Sequence, residues 1–569
     1  MNNNTLKWMY KVLKGKKKNI VVLTLIQVIN GASGVLYAIL LRDIVDNAVN
    51  HNKEEFWKYV FFTIFLVFLQ TIIRTTFRWM AEFSKATIEN LFKQRILNNI
   101  LHKNFEKVSS IHSGEWLNRL TNDTVVVSNN CVEIFPNLAG MLVKIISSVI
   151  MLVIIDWRFA CIIIPGAIII STITYAFRKK LKILHKEIQE ADGKLRIYMQ
   201  ESIRSLVIIR AFTAEKQTQQ DAAIKMQEHK KNRMRKNYFA NFCNTGFNLA
   251  INGIYLFGIC YSGYGIMIGT ISYGTLMAIT QLISQIQSPI ANITGYFPKF
   301  YAMLASAERI MEIEFLKDDI EEKYDRDYIK SYYDNSFSSI CIRNVNYSYY
   351  PTSNDMHKVS KENMPVILND LNLEIHKGEC IALVGKSGCG KSTILKILMC
   401  IHQVNNGERV IISQNGKETE LNEKWQRLFT YVPQENFLMS GTIKDVVSFT
   451  DKNNVNKEQL NRALEIACAC EFIDKLQYGV DTILGENGTG LSEGQMQRIA
   501  IARAIYSDNP IIILDESTSA LDQITEKKVI DNIKKMTNKT VIIVTHRPYA
   551  LNICDRIIEV DGKNTGKKK

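Results

Sequence analysis

The sequence predicts a multidomain chain: an all-α six-helix transmembrane domain followed by an α/β domain built round a phosphate-binding loop. Three observations carry this. Hydrophobic residues make up 47% of the chain but crowd into span-length runs in its first half. From residue 336 the pattern changes to short β-branched runs alternating with helical stretches. Within that second half stands Gly385-Lys386-Ser387-Gly388-Cys389-Gly390-Lys391-Ser392-Thr393. At 569 residues the chain is also too long for a single core.

The N-terminus carries Lys7, Lys11, Lys14, Lys16, Lys17 and Lys18 ahead of an apolar run over 19–41. Ala32-Ser33-Gly34 offers small residues for signal cleavage. The run continues past them far enough to cross a bilayer, which favours a retained first span. Further spans are expected at 59–80, 132–155, 159–177, 247–269 and 271–297. The second has a clean apolar core only over 60–69, with Arg74 and Arg78 soon after, so it is expected to leave the membrane as a continuing helix. Asp156-Trp157-Arg158 separates the third span from the fourth as a tight turn with an interfacial Trp.

The segments after the second and fourth spans are long, polar and basic, whereas the loops on the other side are short and poor in Lys and Arg. The positive-inside rule places both termini and both long segments in the cytoplasm. The same distribution explains the net charge of +14, from 70 Lys+Arg against 56 Asp+Glu, through topology and lipid headgroups. Nucleic acid is not expected as a partner. The 11 cysteines lack a C-x-x-C pair and read as reduced thiols of a cytosol-facing protein, with no disulfide framework or zinc site.

Both long segments lack Pro and hold apolar residues at three- and four-residue steps, as extended helices do. Their tips are expected near 121–124 and 211–215. Lys144 falls near the middle of the third span, where a Lys costs about 2.5–3.5 kcal/mol. Either it lines a transport cavity and attracts an anionic headgroup, or it snorkels or pairs with an acid such as Glu133. A polar linker is expected at 306–335, dividing a membrane domain, 1–305, from the α/β domain, 336–569.

Ile381-Ala382-Leu383-Val384 reads as a buried strand, and Ile394, Leu395, Ile397, Leu398 and Met399 follow the glycine-rich stretch at helical spacing. Gly385, Gly388 and Gly390 let backbone N–H groups turn inward round an anion, with Ser387 and Thr393 in the same loop and helix start. Lys391 can reach β- and γ-phosphates, and the Ser392 hydroxyl can ligand Mg²⁺. Ile511-Ile512-Ile513-Leu514 ends in Asp515, beside the expected metal, and Glu516 comes next, where it can polarise a water. Tyr431-Val432-Pro433-Gln434 ends a strand with an amide that can reach metal or water. Leu491-Ser492-Glu493-Gly494-Gln495 opens a helix with Ser492 as N-cap. Val541-Ile542-Ile543-Val544-Thr545-His546 is another apolar strand with a polar end, and Tyr349 can stack on an adenine. Singly each has an ordinary reading: His546 as a surface histidine, Gln434 as a loop amide, Asp515-Glu516 as a solvated pair, Tyr349 as packing. Their order and spacing across one domain give them weight.

With these stretches in place the chain resembles an ATP-binding cassette (ABC) exporter half-transporter over essentially its whole length. The resemblance makes the second half an ABC ATPase of the P-loop NTPase class. It implies ATP and Mg²⁺ as cofactors, with Lys391 and the loop backbone on the phosphates and Ser392, Gln434 and Asp515 round the metal. Glu516 is implied as general base and His546 as γ-phosphate sensor. Ser492, Gly494 and Gln495 are implied to bind ATP held by an opposite subunit, with Asp522, of Ser519-Ala520-Leu521-Asp522, in the loop that crosses between subunits. The implied machine is a homodimer or heterodimer, exporting a hydrophobic or amphipathic solute (lipid, drug or peptide) across the cytoplasmic membrane by alternating access. An ATP-gated channel or regulator with little hydrolysis is the alternative, and the apolar spans count against a soluble cassette protein. Glu493 stands where many members have Gly, 485–490 lacks an Arg common before the signature, and 351–364 lengthens the loop after Tyr349. No protease-like domain precedes the spans, so export of leader peptides is not expected.

Overall fold

The computed structural model describes residues 2–111, 113–293, 295–319, 322–348, 366–435, 438–485, 488, 490–536, 538–561 and 565–568. Side chains are described for these except at 2–3, 159–176, 178–179, 182, 251, 291 and 565–568. Tyr349 and the loop at 351–364 lie outside the described residues. The chain forms two compact units, one of residues 1–94 and 119–311, the other of residues 95–118 and 312–569.

The first unit is helical. α1 is Asn2–Val12, α2 Lys17–Val49 and α3 Lys53–His102, whose last turns belong to the second unit. The second unit also takes α4, Phe105–Ser109, and α5, Ser113–Asn118. The first unit continues with α6 Thr124–Ile155, α7 Trp157–Arg204, α8 Leu206–Ala211, α9 Glu215–Met267, α10 Tyr273–Ile293 and α11 Tyr296–Glu312. Among the described residues four helices are long and apolar enough to cross a membrane, at 17–49, 53–102, 113–155 and 215–267. The expected span at 159–177 falls mostly on undescribed side chains of α7, and that at 271–297 is divided between α10 and α11. The turn at Asp156 forms because its carboxylate accepts the Arg158 N–H at 2.9 Å and caps α7, while Tyr261 Oη donates to it at 2.7 Å from α9.

α2 and α6 meet at glycines. A Cβ on Gly31 would lie 2.6 Å from the Gly140 carbonyl oxygen, and one on Gly140 would lie 2.8 Å from that of Gln27. Without a hydrophobic drive between spans, such close backbone approach is what packs helices in lipid. Gly140→Val is therefore expected to push the helices apart and lower the unfolding midpoint in detergent by several degrees. Gly263→Ala, whose Cβ meets nothing within 4 Å, should not lower it.

One expected tip is corrected. The long helix breaks at 103–104, not near 121–124: α3 ends at His102, and Asn104 caps α4 by accepting the Lys107 N–H at 3.3 Å. Residues 119–123 form a π-helical turn leading into α6, with Asp123 fully buried on Arg309 (Nε–Oδ2 2.8 Å) and Ser306 (2.8 Å). A π turn keeps nearly helical periodicity, so apolar spacing runs through it unmarked. The second tip falls as expected, with α8 ending at Ala211, Thr213 at φ +52° and α9 beginning at Glu215.

In the second unit, α12 (Arg326–Asn335) precedes strands β1 Phe337–Ser348, β2 Val366–His376 and β3 Cys380–Val384, then α13 Lys391–Leu398. β4 Asn406–Ser413, β5 Glu418–Glu420, β6 Phe429–Val432 and β7 Gly441–Thr442 follow. Next come α14 Ile443–Val447, α15 Lys457–Ile466, α16 Cys470–Ile473, β8 Ile483–Leu484 and α17 Glu493–Tyr506. β9 Ile511–Asp515, α18 Gln523–Lys534, β10 Thr540–Val544, α19 Pro548–Ile553, β11 Arg556–Val560 and β12 Thr565–Lys568 complete it.

Ten strands form one sheet in the order β5-β4-β1-β2-β12-β11-β3-β10-β9-β6, and β7 pairs with β8. The stretch β11-β3-β10-β9-β6 is parallel. Within it β3, β10, β9 and β6 are apolar at nearly every position because both faces are buried. Ile381, Leu383, Ile511, Ile513, Ile542 and Val544 pack into one core, and Cys380, Ile512, Leu514, Val541 and Ile543 into the other. Within the stretch expected as linker, α11 runs to Glu312, and α12 buries Ile329 and Tyr333 in the first of these cores.

α4 is seated in this same unit. Glu106 is buried, and its Oε1 accepts from Tyr347 Oη at 3.1 Å and from the Gln403 N–H at 2.9 Å. His402 Nδ1 lies 3.0 Å from the same oxygen, with both side chains at most 5% exposed.

Candidate active site

The parallel strands end in step. Val544 is level with Asp515 and Leu383, and Val432 with Leu514. The loops after β3, β6, β9 and β10 therefore open at one edge of the sheet, the usual place for a ligand in an open α/β fold. Four of the stretches singled out in the sequence lie there: the glycine-rich loop, Gln434, Asp515-Glu516 and His546.

The glycine-rich loop joins β3 to α13. Gly390, at φ +100°, precedes Lys391, and a Cβ on it would lie 2.8 Å from Leu368 Cδ2. Gly388 sits at φ +81°. A Cβ on Gly385 would lie 2.4 Å from the Val560 carbonyl oxygen. Lys391 is 7% exposed, and its Nζ donates to the carbonyls of Gly385 (2.7 Å) and Lys386 (3.1 Å). The ammonium thus stands inside the loop, where an anion can replace those two carbonyls as its partner. Ser387 is exposed and Thr393 buried in the first turn of α13.

Asp515, 2% exposed, is hydrogen-bonded by Ser392 and accepts from Tyr431 Oη at 3.0 Å. Burial pushes its carboxyl above the usual range, against the lowering effect of those two hydroxyls. Burial likewise pushes the Tyr431 hydroxyl up, so it remains a donor. Gln434 Nε2 donates to Glu516 Oε2 at 2.8 Å. Glu516 sits at φ +48°, and its N–H is fixed on the Val544 carbonyl at 3.0 Å. The hydroxyl and amide oxygens of Ser392 and Gln434, with the Asp515 carboxylate, are a donor set suited to a hard divalent cation. His546 stands two residues past the end of β10 and is exposed.

Ser492 and Asp522 open other helices. Ser492 caps α17 in a capping box, its Oγ accepting the Gln495 N–H at 3.3 Å while its own N–H donates to Gln495 Oε1 at 2.8 Å. Ser492 and Glu493 are exposed. A Cβ on Gly494 would lie 2.9 Å from the Ala520 carbonyl oxygen, so this glycine also lets α17 press against the loop after Glu516. Asp522 caps α18, and the N–H groups of Thr525 and Ile524 hold its carboxyl below the usual range. Tyr349 lies outside the described residues. Sequence reasoning missed Tyr431, Gln497, Glu526 and Arg547. Tyr431 was within a stretch already singled out; the other three touch only protein, and no spacing marks them.

The chain is similar to known proteins over most of its length. A family model described as the ABC transporter transmembrane region matches residues 20–290, and one described as ABC transporter matches residues 368–519. The chain is 25% identical over 564 residues to the ATP-dependent lipid A-core flippase of Haemophilus ducreyi, covering 98% of this chain and 93% of that protein. It is 24% identical over 568 residues to the protein of the same name in Vibrio cholerae, covering 98% and 94%. It is 29% identical over 488 residues to ABC transporter B family member 1 of Dictyostelium discoideum, covering 84% of this chain and 51% of that one. A solved bacterial Atm1-family ABC exporter with ATP bound superposes with a TM-score of 0.78 at 18% identity, covering 97% of this chain and 95% of that one.

Proposed function

Since the chain belongs to the ABC transporters, as a multi-pass membrane protein whose second half is an ATP-hydrolysing cassette, we propose that it exports a lipid-like amphiphile with an anionic head. The observation that carries this reading is a cavity of about 360 Å³ within the helical unit. Gln27, Asn30, Asn137 and Gln285 line it together with two cations, Arg74 and Lys144. Glu133, the acid expected beside Lys144, accepts instead from Lys85 (2.7 Å) and Lys299 (3.1 Å). Two cations in a span-lined cavity are costly unless they meet water or an anion. The relatives named as lipid A-core flippases act on a lipid by their printed name, which agrees with such a cargo.

The energy source is ATP bound at the sheet edge. Lys391 moves from its two loop carbonyls onto the phosphates, Glu516 takes the proton of the attacking water, and Gln434 orients that carboxylate. His546 donates to the terminal phosphate. Mg²⁺, held by Ser392, Gln434 and Asp515, would offset phosphate charge. A second copy or a similar half-transporter completes the site through Ser492, Gly494, Gln495 and Asp522, so the working form is a dimer with alternating access. The bare apolar tip of α8 supports this, with Val207 81% and Phe212 78% exposed on a cytoplasmic helix end. Both termini and the cassette face the cytoplasm.

Reconstituting the purified chain in liposomes and measuring ATPase activity and flux tests the proposal. Anionic amphiphiles should stimulate vanadate-sensitive turnover more than cationic ones of equal chain length, and Lys144→Met with Arg74→Met should erase that preference. Equal stimulation irrespective of head charge overturns the anionic cargo. Solute flux that persists without turnover favours the gated channel.

A further inference from the structure

The loop after Glu516 is gripped from three sides. From α17, the fully buried amide of Gln497 donates to Ser519 Oγ at 3.1 Å and accepts the Ala520 N–H at 3.0 Å. From α18, Glu526 Oε1 accepts from Thr518 Oγ1 at 3.0 Å. From the turn after β10, Arg547 Nη1 donates to the Leu521 carbonyl (2.9 Å) and to Glu526 Oε2 (3.0 Å), while its Nη2 donates to the Ser519 carbonyl. The Arg547 N–H also closes on Thr545 Oγ1 at 3.0 Å, so both neighbours of His546 are fixed. The Glu526 side chain is 3% exposed and that of Arg547 31%.

We propose that Arg547 is a positioning residue for ATP hydrolysis, one that holds His546 in register with Glu516 and with the start of α17. Glu516 begins the gripped loop, Gly494 and Gln497 press on it from the helix that Ser492 opens, and His546 precedes Arg547 by one residue. One guanidinium reaches two backbone carbonyls and a buried carboxylate, so a shift of any one of these elements is passed to the others. Only a planar group with several donors does this; a lysine ammonium at the same place cannot hold the same fork. The inference rests on the reading of Glu516 and His546 as groups at the terminal phosphate.

The test uses the full chain, purified and reconstituted, with kcat, KM for Mg-ATP, binding of a fluorescent ATP analogue and thermal midpoint measured for each variant. Arg547→Met is expected to lower kcat at least tenfold with KM and analogue binding within about twofold, and Arg547→Lys to recover part of the loss. Arg547→Met orphans a buried carboxylate, so its midpoint should fall as well. Adding Glu526→Leu should restore the midpoint and leave kcat low. A folded Arg547→Met with normal kcat, or kcat returning together with the midpoint in the double variant, overturns the proposal. If Arg547→Met does not fold, Arg547→Lys decides, and a normal kcat there overturns it. Glu516→Gln and His546→Ala run alongside: normal turnover in both removes the underlying reading, whereas loss in both with none in Arg547→Lys removes only the positioning role.

Discussion

Glu516→Gln is expected to keep ATP binding and to lower hydrolysis by about 10²–10⁴-fold, the usual contribution of a positioned general base. The substitution is nearly isosteric. A glutamine keeps the side-chain oxygen that accepts Gln434 Nε2, and the backbone remains anchored on Val544, so the left-handed conformation at φ +48° is retained. What is lost is a group able to take a proton. Phosphate release measured beside binding of an ATP analogue separates the two, and near-normal turnover in Glu516→Gln removes this carboxylate as base.

Lys391→Met is expected to weaken binding and hydrolysis together. Its ammonium is the cation inside the glycine-rich loop and is committed to the carbonyls of Gly385 and Lys386. Hydrogen bonds from a charged donor contribute about 1.5–3 kcal/mol each, so exchanging those carbonyls for phosphate oxygens matters greatly to affinity. A methionine of similar length fills the space without the charge. Equilibrium binding of a fluorescent ATP analogue should weaken at least tenfold, and unaltered binding would show that the loop amides alone carry the phosphates.

Much of this was legible in the sequence because it is written in local terms. A glycine that needs φ > 0, a capping Ser492 three residues before Gln495, and apolar strands that end in Asp515 or just before Thr545 are all short-range signals. The parallel register then brings the strand ends to one edge, which no single stretch reveals. Contacts between distant residues were hidden. The seating of Glu106 against Tyr347 and His402 joins positions 241 and 296 residues apart, and a lone glutamate on a helical segment carries no mark of a buried partner. The first tip was displaced for a related reason: Asn104 is a modest capping signal, while the π turn at 119–123 looks helical in its spacing. For Lys144 the sequence offered Glu133 as one partner, but that carboxylate is engaged by Lys85 and Lys299, neither of which any spacing marks.

The insertion of Glu106 has a practical corollary for anyone dissecting the molecule. A gene fragment starting at residue 312 omits 95–118, which folds as part of the same body. Such a fragment leaves a socket floored by Tyr347 and His402 open to water, with the Gln403 amide stripped of its carboxylate acceptor. Soluble expression of the cassette calls for stitching that short excursion back on, or for plugging the hole with a designed peptide.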